Sequence, residues 1–527
     1  MPEYSSSYSF DSYINWRLNV DYYDDDAFLK SNLKVFAGAD WGRADKKARE
    51  ISQKVSTGWR QLSEISARNN YQPQLQHFDA FNQRVDRIAR CAESRQLEEE
   101  IFSLALFSPQ TSAWEKFIQL FLIYENGEAC ISCPLACTEG LAELLDEYAD
   151  TPELIKIRDH LREGINGRYA IGAQFMTEIQ GGSDISANRV EAEENGNNWR
   201  IYGKKFFCSV AHADYFLITA KPAGQEKIAA SVVPAKQPDD CESETRNFYR
   251  IERLKPKLGT RELPTAEISF NGASAYLVGS IDKGISHVVS VVLGCSRLTI
   301  GIFSAAIMSR AVREAHYYAG FREAFGRPIA EFAMLAGQLA EMQMLARQTT
   351  AGIFGIFRQI QLLAAAPVEA ENELQAASLR RQRFEIRELI MLQKIVAAAD
   401  SVDVLRGAIS VFGGNGVIED FSSLPRLLSD AMVNELWEGP RNVLLAQIYR
   451  DFQQGLSWYP VDQFVNNLLA GSGSLRRKQL AREMLQMVAA PPDDEVNDDT
   501  IEFWANWERC CIDLMHGYQR VCCAEVE

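Results

Sequence analysis

One carboxylate in the sequence has neighbours that suit it for acid–base chemistry. Glu438 lies within NELWEGPRN, residues 434–442, between Trp437 and Gly439. The flat apolar side chain excludes water, and the glycine lets a ligand or another backbone come close. A carboxylate in such a partly dry setting has a raised pKa and works as a general base near neutral pH. The segment predicts a proton-abstracting base; the alternative is a helix-capping glutamate beside an ordinary packed tryptophan.

Three cysteines in CISCPLAC, residues 130–137, have a spacing that suits an iron–sulfur cluster. Such a cluster needs a fourth ligand, whereas cysteines three and four positions apart on a helix also pack as small apolar side chains. The six histidines form no HExxH pair. We therefore expect no metal site.

The overall composition is that of a globular protein. Of the 527 residues, 46% are hydrophobic and 24% are charged, and the length suggests three or four structural units. The formal net charge of −16 disfavours nucleic acids and anionic lipids as partners. Residues 455–527 carry 6 basic side chains against 12 acidic ones, so this region does not form a basic patch either.

The N-terminal segment MPEYSSSYSFDSYINW has neither the basic start nor the apolar run of a signal peptide. Eleven cysteines, two pairs of them adjacent in the sequence, suit reduced thiols and a cytoplasmic location. Residues 284–309 are long and apolar enough to span a membrane, but Arg297 lies at their middle, where a charge is costly. We predict a buried core helix there and no membrane span.

Hydrophobic periodicity divides the chain into helices, sheet and helices again, an α+β multidomain fold. Helical spacing dominates residues 1–165, and short alternating runs with Gly and Asn turns indicate an antiparallel β-domain at 166–280. Helical spacing returns at 281–454 and in an extra C-terminal segment, 455–527. The last helix carries an apolar stripe that includes Trp504, Trp507 and Tyr518, which we expect to dock onto the body of the protein or onto another subunit.

Four motifs, in this order and at these spacings, resemble the acyl-CoA dehydrogenase family. They are MTEIQGGSD (176–184), GKKFFCS (203–209), FREAFGRPI (321–329) and FGGNG with LWEGPRN (412–416 and 436–442). The resemblance covers residues 60–450. Within the family, residues 70–88, SCPLACTEG, RLKPKLGTRE and Trp437 are most similar to the branch that contains the alkylation-response flavoprotein AidB.

The resemblance implies a fold of an N-terminal helical domain, a middle β-domain and a C-terminal four-helix bundle, assembled as a dimer or tetramer. It implies FAD as cofactor, an acyl-CoA as substrate, dehydrogenation to the 2-enoyl-CoA, and an electron-transfer flavoprotein as acceptor. Three alternatives stay open: an AidB-like stress protein with nucleic-acid binding, an oxidase that passes electrons to oxygen, and a decarboxylating variant.

The resemblance also assigns roles to particular residues. Glu438 is the base that removes the α-proton. The substrate-binding residues are Ser183, Arg297, Trp437 and Gly439. The cofactor-binding residues are Thr177, Ser183, Phe207, Ser209, Arg322, Phe325, Gly413, Gly414 and Asn442, of which Arg322 and Phe325 reach the FAD of a neighbouring subunit.

Overall fold

The structure is a computed structural model that describes residues 8–196, 198–237, 245–367, 370, 372–493 and 495–527. The α-helices are α1 (Asp11–Asn19), α2 (Ala27–Ala37), α3 (Trp41–Lys54), α4 (Arg60–Ser66), α5 (Ala92–Phe102), α6 (Ala113–Tyr124), α7 (Ser132–Tyr148), α8 (Pro152–Arg162), α9 (Gly284–His287), α10 (Leu293–Phe321), α11 (Ala333–Ala364), α12 (Glu373–Phe412), α13 (Leu424–Asn434), α14 (Arg441–Gly455), α15 (Val461–Leu468), α16 (Ser474–Ala489) and α17 (Asp498–Ala524). The strands are β1 (Gln74–Phe78), β2 (Arg84–Ala89), β3 (Gly172–Phe175), β4 (Glu191–Asn195), β5 (Asn198–Ser209), β6 (Tyr215–Pro222), β7 (Ala229–Pro234), β8 (Tyr249–Leu254), β9 (Thr265–Leu277), β10 (Glu323–Ala324) and β11 (Arg327–Pro328).

The predicted order of helices, β-domain and helices is confirmed, and the fold class is α+β. The chain forms two compact units. Unit 1 comprises Met1–Arg60, Ala113–Asn126 and Ile300–Glu527, and unit 2 comprises Gln61–Ser112 and Gly127–Thr299. These units are defined by contacts, so the boundaries at 165, 280 and 454 stay predictions.

The N-terminal block contains one element that the helical prediction did not include. The strands β1 and β2 pair as an antiparallel hairpin, with Leu75 opposite Ile88. The intervening turn has Asn82 in the left-handed region, φ 61°, a conformation that asparagine tolerates better than most residues. Each strand is only five or six residues long, so its period-two alternation was outweighed by the helical stretches around it.

The main sheet of unit 2 has seven strands. The order β3-β6-β4-β5-β9-β7 continues through a further β6–β7 pairing, so five of the strands close into a small barrel, and β8 pairs with β9. The pairings are antiparallel except β3–β6 and β4–β6, which are parallel. The longest ladder joins β5 to β9 and brings Ser209 opposite Thr265.

The core of unit 2 is built from helices α7 and α8 together with strands of this sheet. Leu141, Leu144 and Leu145 of α7 pack with Val232 of β7 and with Val292 of the π-helical turn Val288–Val292. The hydroxyl of Thr138 on α7 accepts a hydrogen bond of 2.9 Å from the backbone N–H of Gly172, which begins β3. A Cβ at Gly172 would lie 3.1 Å from the Thr138 Cα, so glycine allows this close approach.

The end of β5 is tied to α5 by a buried polar cluster within unit 2. Glu98 of α5 accepts two hydrogen bonds of 2.7 Å from the guanidinium of Arg90, and its carboxylate lies 2.9 Å from Nε2 of His212. Burial tends to raise the pKa of Glu98, but His212 and Arg90 together bring that pKa down to about 2. Burial also lowers the pKa of His212. The hydrogen bond between the imidazole and the carboxylate therefore fixes the loop that follows Ser209.

Unit 1 is built on long helices that pack side by side. Helix α12 contacts both α11 and α14, and α17 packs on all three of these helices. Glycines on α11 make room for the last helix, because a Cβ at Gly352 would lie 2.7 Å from Gln519 Cγ and one at Gly355 would lie 2.5 Å from Cys522 Sγ. Trp507 of α17 is fully buried, and its indole donates to the Leu445 carbonyl at 3.1 Å. The predicted apolar stripe therefore docks onto the body of its own chain.

A fully buried arginine connects several helices of unit 1. Arg310 donates from Nε to Glu314 at 2.8 Å, from Nη1 to the Glu125 carbonyl at 3.1 Å and from Nη2 to Ser423 at 2.7 Å. Its guanidinium thus joins α10 to the end of α6 and the start of α13. A buried charge is tolerated only where hydrogen bonds replace its hydration, so this network constrains the three helices together.

One segment of the described residues, Gly284–Phe321, is long and apolar enough to cross a membrane by length and composition. In the structure 72% of its most apolar window is buried. A core helix of a soluble protein has the same properties, and the burial agrees with the predicted core helix.

The Glu98 cluster predicts a specific acid sensitivity of unit 2. The pKa of Glu98 is about 2 in the folded protein against an ordinary value of 4.5, so its stabilisation is complete above pH ~4.5 and is lost as the pH falls toward ~2. We expect Glu98→Gln to be destabilised by up to about 3 kcal/mol at pH ~7. The destabilisation relative to the wild type should shrink as the pH falls from about 4.5 toward about 2, measured by urea unfolding.

The matched control for this experiment is Glu99→Gln, because Glu99 is an exposed neighbour on the same helix. Its unfolding curves should follow those of the wild type. A Glu98→Gln defect that stays constant over the same pH range would contradict the electrostatic account.

Candidate functional site

The turn that carries Glu438 has an unusual backbone. It connects α13 to α14, and both Glu438 and Gly439 lie at positive φ, 59° and 101°. A non-glycine residue in this region costs roughly 1 kcal/mol or more. The turn ends at Pro440, which has no backbone N–H to satisfy and precedes the first residue of α14. The Glu438 side chain is half-buried.

A buried lysine holds this turn in place. The ammonium of Lys394, on α12, donates to the Gly439 carbonyl at 2.7 Å and to the Glu435 carbonyl at 3.1 Å. Its side chain is only 1% exposed. Lys394 is not among the site residues predicted from the sequence, although a lone lysine within the apolar run LIMLQKIVAAA signals a buried cation that needs partners.

The residues on either side of Glu438 are also positioned by their local structure. The indole N–H of Trp437 donates to the Asn434 side chain at 2.8 Å, which fixes the ring at the end of α13. Asn442 is exposed in the first turn of α14, where free backbone N–H groups favour an anion or an acceptor.

The GGNG turn and the segment that contains Arg322 are brought together by Tyr318. The Tyr318 ring stacks on Phe412 at 4.1 Å, and its hydroxyl accepts a hydrogen bond of 3.0 Å from Asn415. The backbone N–H of Arg322 in turn donates to the Tyr318 carbonyl at 2.8 Å. A Cβ added to Gly413 or Gly414 would meet no atom within 4 Å, so both glycines border open space.

Arg322 and Phe325 lie on a small hairpin formed by β10 and β11. The Arg322 guanidinium lies over the Tyr8 ring, 4.7 Å from its centroid, and a hydrogen bond with Tyr8 raises the pKa of Arg322. Phe325, at the tip, is 97% exposed and has φ 51°.

In unit 2 the first two motifs are pinned together by a buried ion pair. The Lys205 ammonium lies 2.8 Å from Glu178, which also accepts hydrogen bonds from the backbone N–H groups of Arg189 and Val190 at 2.7 and 3.1 Å. Burial tends to raise the pKa of Glu178, but Lys205 and these donors bring that pKa below its usual value. Glu178 and Lys205 are not among the site residues predicted from the sequence, because 27 positions separate them along the chain.

Thr177 and Ser183 flank the tight turn of the first motif, which Glu178 and Gly181 close. A Cβ at Gly182 would lie 2.5 Å from the Thr177 hydroxyl, so the turn requires glycine there. The Thr177 carbonyl accepts from the Phe206 N–H at 2.9 Å, which brings the first motif against the second. Ser183 is exposed after the turn.

Phe207 and Ser209 lie at the end of β5, where the pairing with β9 is irregular. Phe207 is 50% exposed, and the Lys255 ammonium lies 4.6 Å from its ring centroid. The Ser209 hydroxyl lies 3.1 Å from the hydroxyl of Thr265. The exposed ring and a hydroxyl two positions later form a surface that a planar ligand could cover.

Arg297 is buried on α10, with 7% of its surface exposed. It belongs to unit 2, whereas Glu438 belongs to unit 1. The predicted residues therefore form two groups within unit 1, the Glu438 turn and the Arg322–GGNG segment, while unit 2 holds the β-domain group and, on α10, Arg297.

The cysteines of CISCPLAC are packed side chains in the structure. Cys133 and Cys137 have their sulfur atoms 3.8 Å apart on α7, and burial raises the pKa of Cys130 to about 12. Among the described residues no group of three or more His, Cys, Asp or Glu side chains could hold a metal ion.

Two family models match the chain. The model of the acyl-CoA dehydrogenase middle domain matches residues 173–273, and that of the acyl-CoA dehydrogenase C-terminal domain matches residues 282–452. Together they cover just over half of the sequence.

Curated relatives and solved structures agree with these matches. The chain is 29% identical to acyl-CoA dehydrogenase family member 11 of Caenorhabditis elegans, over 72% of this chain and 62% of that protein. It is 31% identical to AidB of Escherichia coli (strain K12), over 63% of this chain and 59% of that protein. The matched region thus spans about three fifths of the length of either relative.

Two solved structures share the fold. That of Caenorhabditis elegans ACDH-11 with C11-CoA has a TM-score of 0.83 at 24% identity, covering 96% of this chain and 88% of that chain. That of a Bacillus anthracis acyl-CoA dehydrogenase with FAD has a TM-score of 0.66 at 15% identity, covering 97% and 85%. The ordered motifs, the barrel followed by long helices, and the two family-model matches lead to one conclusion: the chain belongs to the acyl-CoA dehydrogenase family.

Proposed function

We propose that this protein uses FAD to oxidise an acyl-CoA thioester to the 2-enoyl-CoA, with Glu438 as the base. The observation that carries the proposal is the Glu438 turn. A carboxylate follows a tryptophan and precedes a glycine at positive φ. A buried lysine holds the backbone of that turn through hydrogen bonds to its carbonyl oxygens. A base must be held rigidly at its substrate to be effective, and this turn supplies that rigidity.

The residues present fit a flavin nucleotide. Gly413 and Gly414 border open space that admits a phosphate close to the backbone. Phe207 offers a half-exposed ring that would cover the isoalloxazine, and the Ser209 hydroxyl would hydrogen-bond near the N5 atom. Asn442 would bind at the first turn of α14. When bound, FAD supplies a hydride acceptor at its N5 atom, which this chain lacks in its own side chains.

Each substrate residue has a distinct part in the proposal. Glu438 takes the α-proton, and its backbone N–H donates to the thioester oxygen as negative charge develops there. Trp437 forms the apolar wall that keeps the carboxylate dry, and Gly439 leaves room for the thioester. Thr177 and Ser183 contact the cofactor, Ser183 also contacts the acyl-CoA, and Arg297 orients the bound thioester.

An acyl-CoA substrate is supported by family membership and by the similarity to ACDH-11, whose structure contains C11-CoA. Nucleic-acid binding is disfavoured, since residues 455–527 hold 12 acidic side chains against 6 basic ones. An electron-transfer flavoprotein is the proposed electron acceptor, in keeping with this dehydrogenase chemistry. A cytoplasmic location stays a prediction.

The exposed hairpin supports assembly into at least a dimer. Phe325 is 97% exposed at the tip, and Arg322 lies at its base. We propose that both residues of one subunit contact the FAD of its neighbour, with the Arg322 guanidinium at the pyrophosphate and the Phe325 ring against the flavin or adenine.

Replacing Glu438 tests the assignment of the base. We expect Glu438→Gln to bind FAD and acyl-CoA but to slow flavin bleaching by the acyl-CoA by at least about 100-fold, because the amide cannot accept the α-proton. The measurement is anaerobic stopped-flow absorbance of the flavin with a panel of acyl-CoAs. Glu341→Gln, an exposed acid on α11, should react at the wild-type rate. Equal bleaching rates in Glu438→Gln and the wild type would remove Glu438 from the mechanism.

Replacing Lys394 tests whether the turn must be held. Lys394→Met keeps the length of the side chain and removes both hydrogen bonds to the turn. We expect flavin reduction to slow by about 10- to 100-fold, because small misplacements of a reacting group have effects of that size. Hydrogen exchange at the Glu438 and Gly439 region should accelerate in the same variant. Fast exchange with an undiminished rate would show that the position of the turn is not critical for catalysis.

A further inference from the structure

The loop RLKPKLGTRE, which connects β8 to β9, brings a lysine to the polar side chains at the end of β5. Lys257 donates from Nζ to the Thr260 hydroxyl at 2.8 Å, to the Leu263 carbonyl at 3.0 Å and to the Thr265 hydroxyl at 2.9 Å. Thr265 in turn lies 3.1 Å from Ser209 and is its cross-strand partner. The lysine, Thr265 and Ser209 thus form a continuous chain of hydrogen bonds.

The chemistry of the lysine gives this chain a direction. An ammonium has three hydrogens and can only donate, and here three acceptors surround it. Burial lowers the pKa of Lys257, while the carboxylates of Glu128 and Glu262 oppose that shift and favour the charged form. The Thr265 oxygen therefore accepts from the lysine.

The direction continues through Thr265 to Ser209. Thr265 is only 2% exposed. Besides Lys257, its side chain has the hydroxyl of Ser209 as a hydrogen-bond partner. With the Thr265 oxygen accepting from Lys257, the hydroxyl hydrogen of Thr265 is available to Ser209, and donation in that direction leaves the hydrogen of Ser209 to point away from the strand pair. Charge-assisted chains of this kind are stronger than isolated hydroxyl contacts.

We propose that Lys257 is a positioning residue that acts through Thr265 to make Ser209 a hydrogen-bond donor toward the flavin. The inference rests on the proposed function, in which Ser209 lies near N5 of FAD. A donor at that atom favours its acceptance of electrons, so the Lys257–Thr265 pair raises the reduction potential of the bound cofactor. Neither Lys257 nor Thr265 needs to contact the flavin for this effect.

The test measures the midpoint potential of bound FAD against reference dyes in Lys257→Met, Thr265→Val and Thr265→Ser. The first two should bind FAD with a more negative potential, equivalent to a change of about tenfold in the ratio of affinities for reduced and oxidised flavin, the effect of one charge-assisted hydrogen bond. Thr265→Ser retains the hydroxyl and should keep the wild-type potential. Lys204→Met, an exposed lysine on β5, is the control for loss of a charge and should also keep it.

A second comparison distinguishes an effect of Lys257 through the hydrogen-bond chain from a direct electrostatic effect of its charge on the flavin. In a Ser209→Ala background, Lys257→Met should no longer change the potential, because the link to the flavin is already broken. An undiminished shift in that background would overturn the proposal, as would unchanged potentials in both Lys257→Met and Thr265→Val. If Lys257→Met does not fold, the isosteric Thr265→Val and its serine counterpart decide the question.

Different results would overturn the proposed function and the role of Lys257. A wild-type protein that binds no FAD would overturn the proposed function and this inference with it. A wild-type protein that binds FAD and is bleached by an acyl-CoA, but whose potential does not respond to these variants, would overturn only the role of Lys257.

Discussion

The hydrogen bonds from Lys394 to the turn at 435–439 are the interaction on which the proposed chemistry depends most. A glutamate at φ 59° followed by a glycine at φ 101° does not adopt that backbone by local preference. The buried ammonium supplies the missing stabilisation through two carbonyl oxygens. Because the lysine lies on the long helix α12, the position of the carboxylate is fixed by the rigid part of unit 1 rather than by its own loop.

In the β-domain a buried charge of the opposite sign also holds a turn through hydrogen bonds to backbone N–H groups. Glu178 is buried, accepts from two backbone N–H groups and from Lys205, and thereby fixes the turn that carries Thr177 and Ser183. Buried charges that are fully hydrogen-bonded are costly to break. The Glu438 turn and the first two motifs are thus each built around a buried charge, while the side chains proposed to meet ligands remain partly exposed beside it.

Much of the fold and of the candidate site could be predicted because the necessary residues are contiguous. The changes of hydrophobic period gave helices, sheet and helices, and Trp437, Glu438 and Gly439 are adjacent in one short segment. The β1–β2 hairpin was not predicted because its strands are short and lie among helices. The roles of Lys394 and Lys257 were not predicted for a different reason. The residues around a lysine in the sequence do not indicate which carbonyl or hydroxyl group it will bind.

The sequence by itself determined the class of fold, the family and the identity of the side chains in each motif, since these follow from periodicity and from residues that are neighbours along the chain. Only the tertiary structure decided their partners. Lys394 meets Gly439 across 45 positions, and Ser209 meets Thr265 across 56. Hydrogen bonds act over about 3 Å in space regardless of separation along the chain, so these contacts exist only once helices and strands have packed.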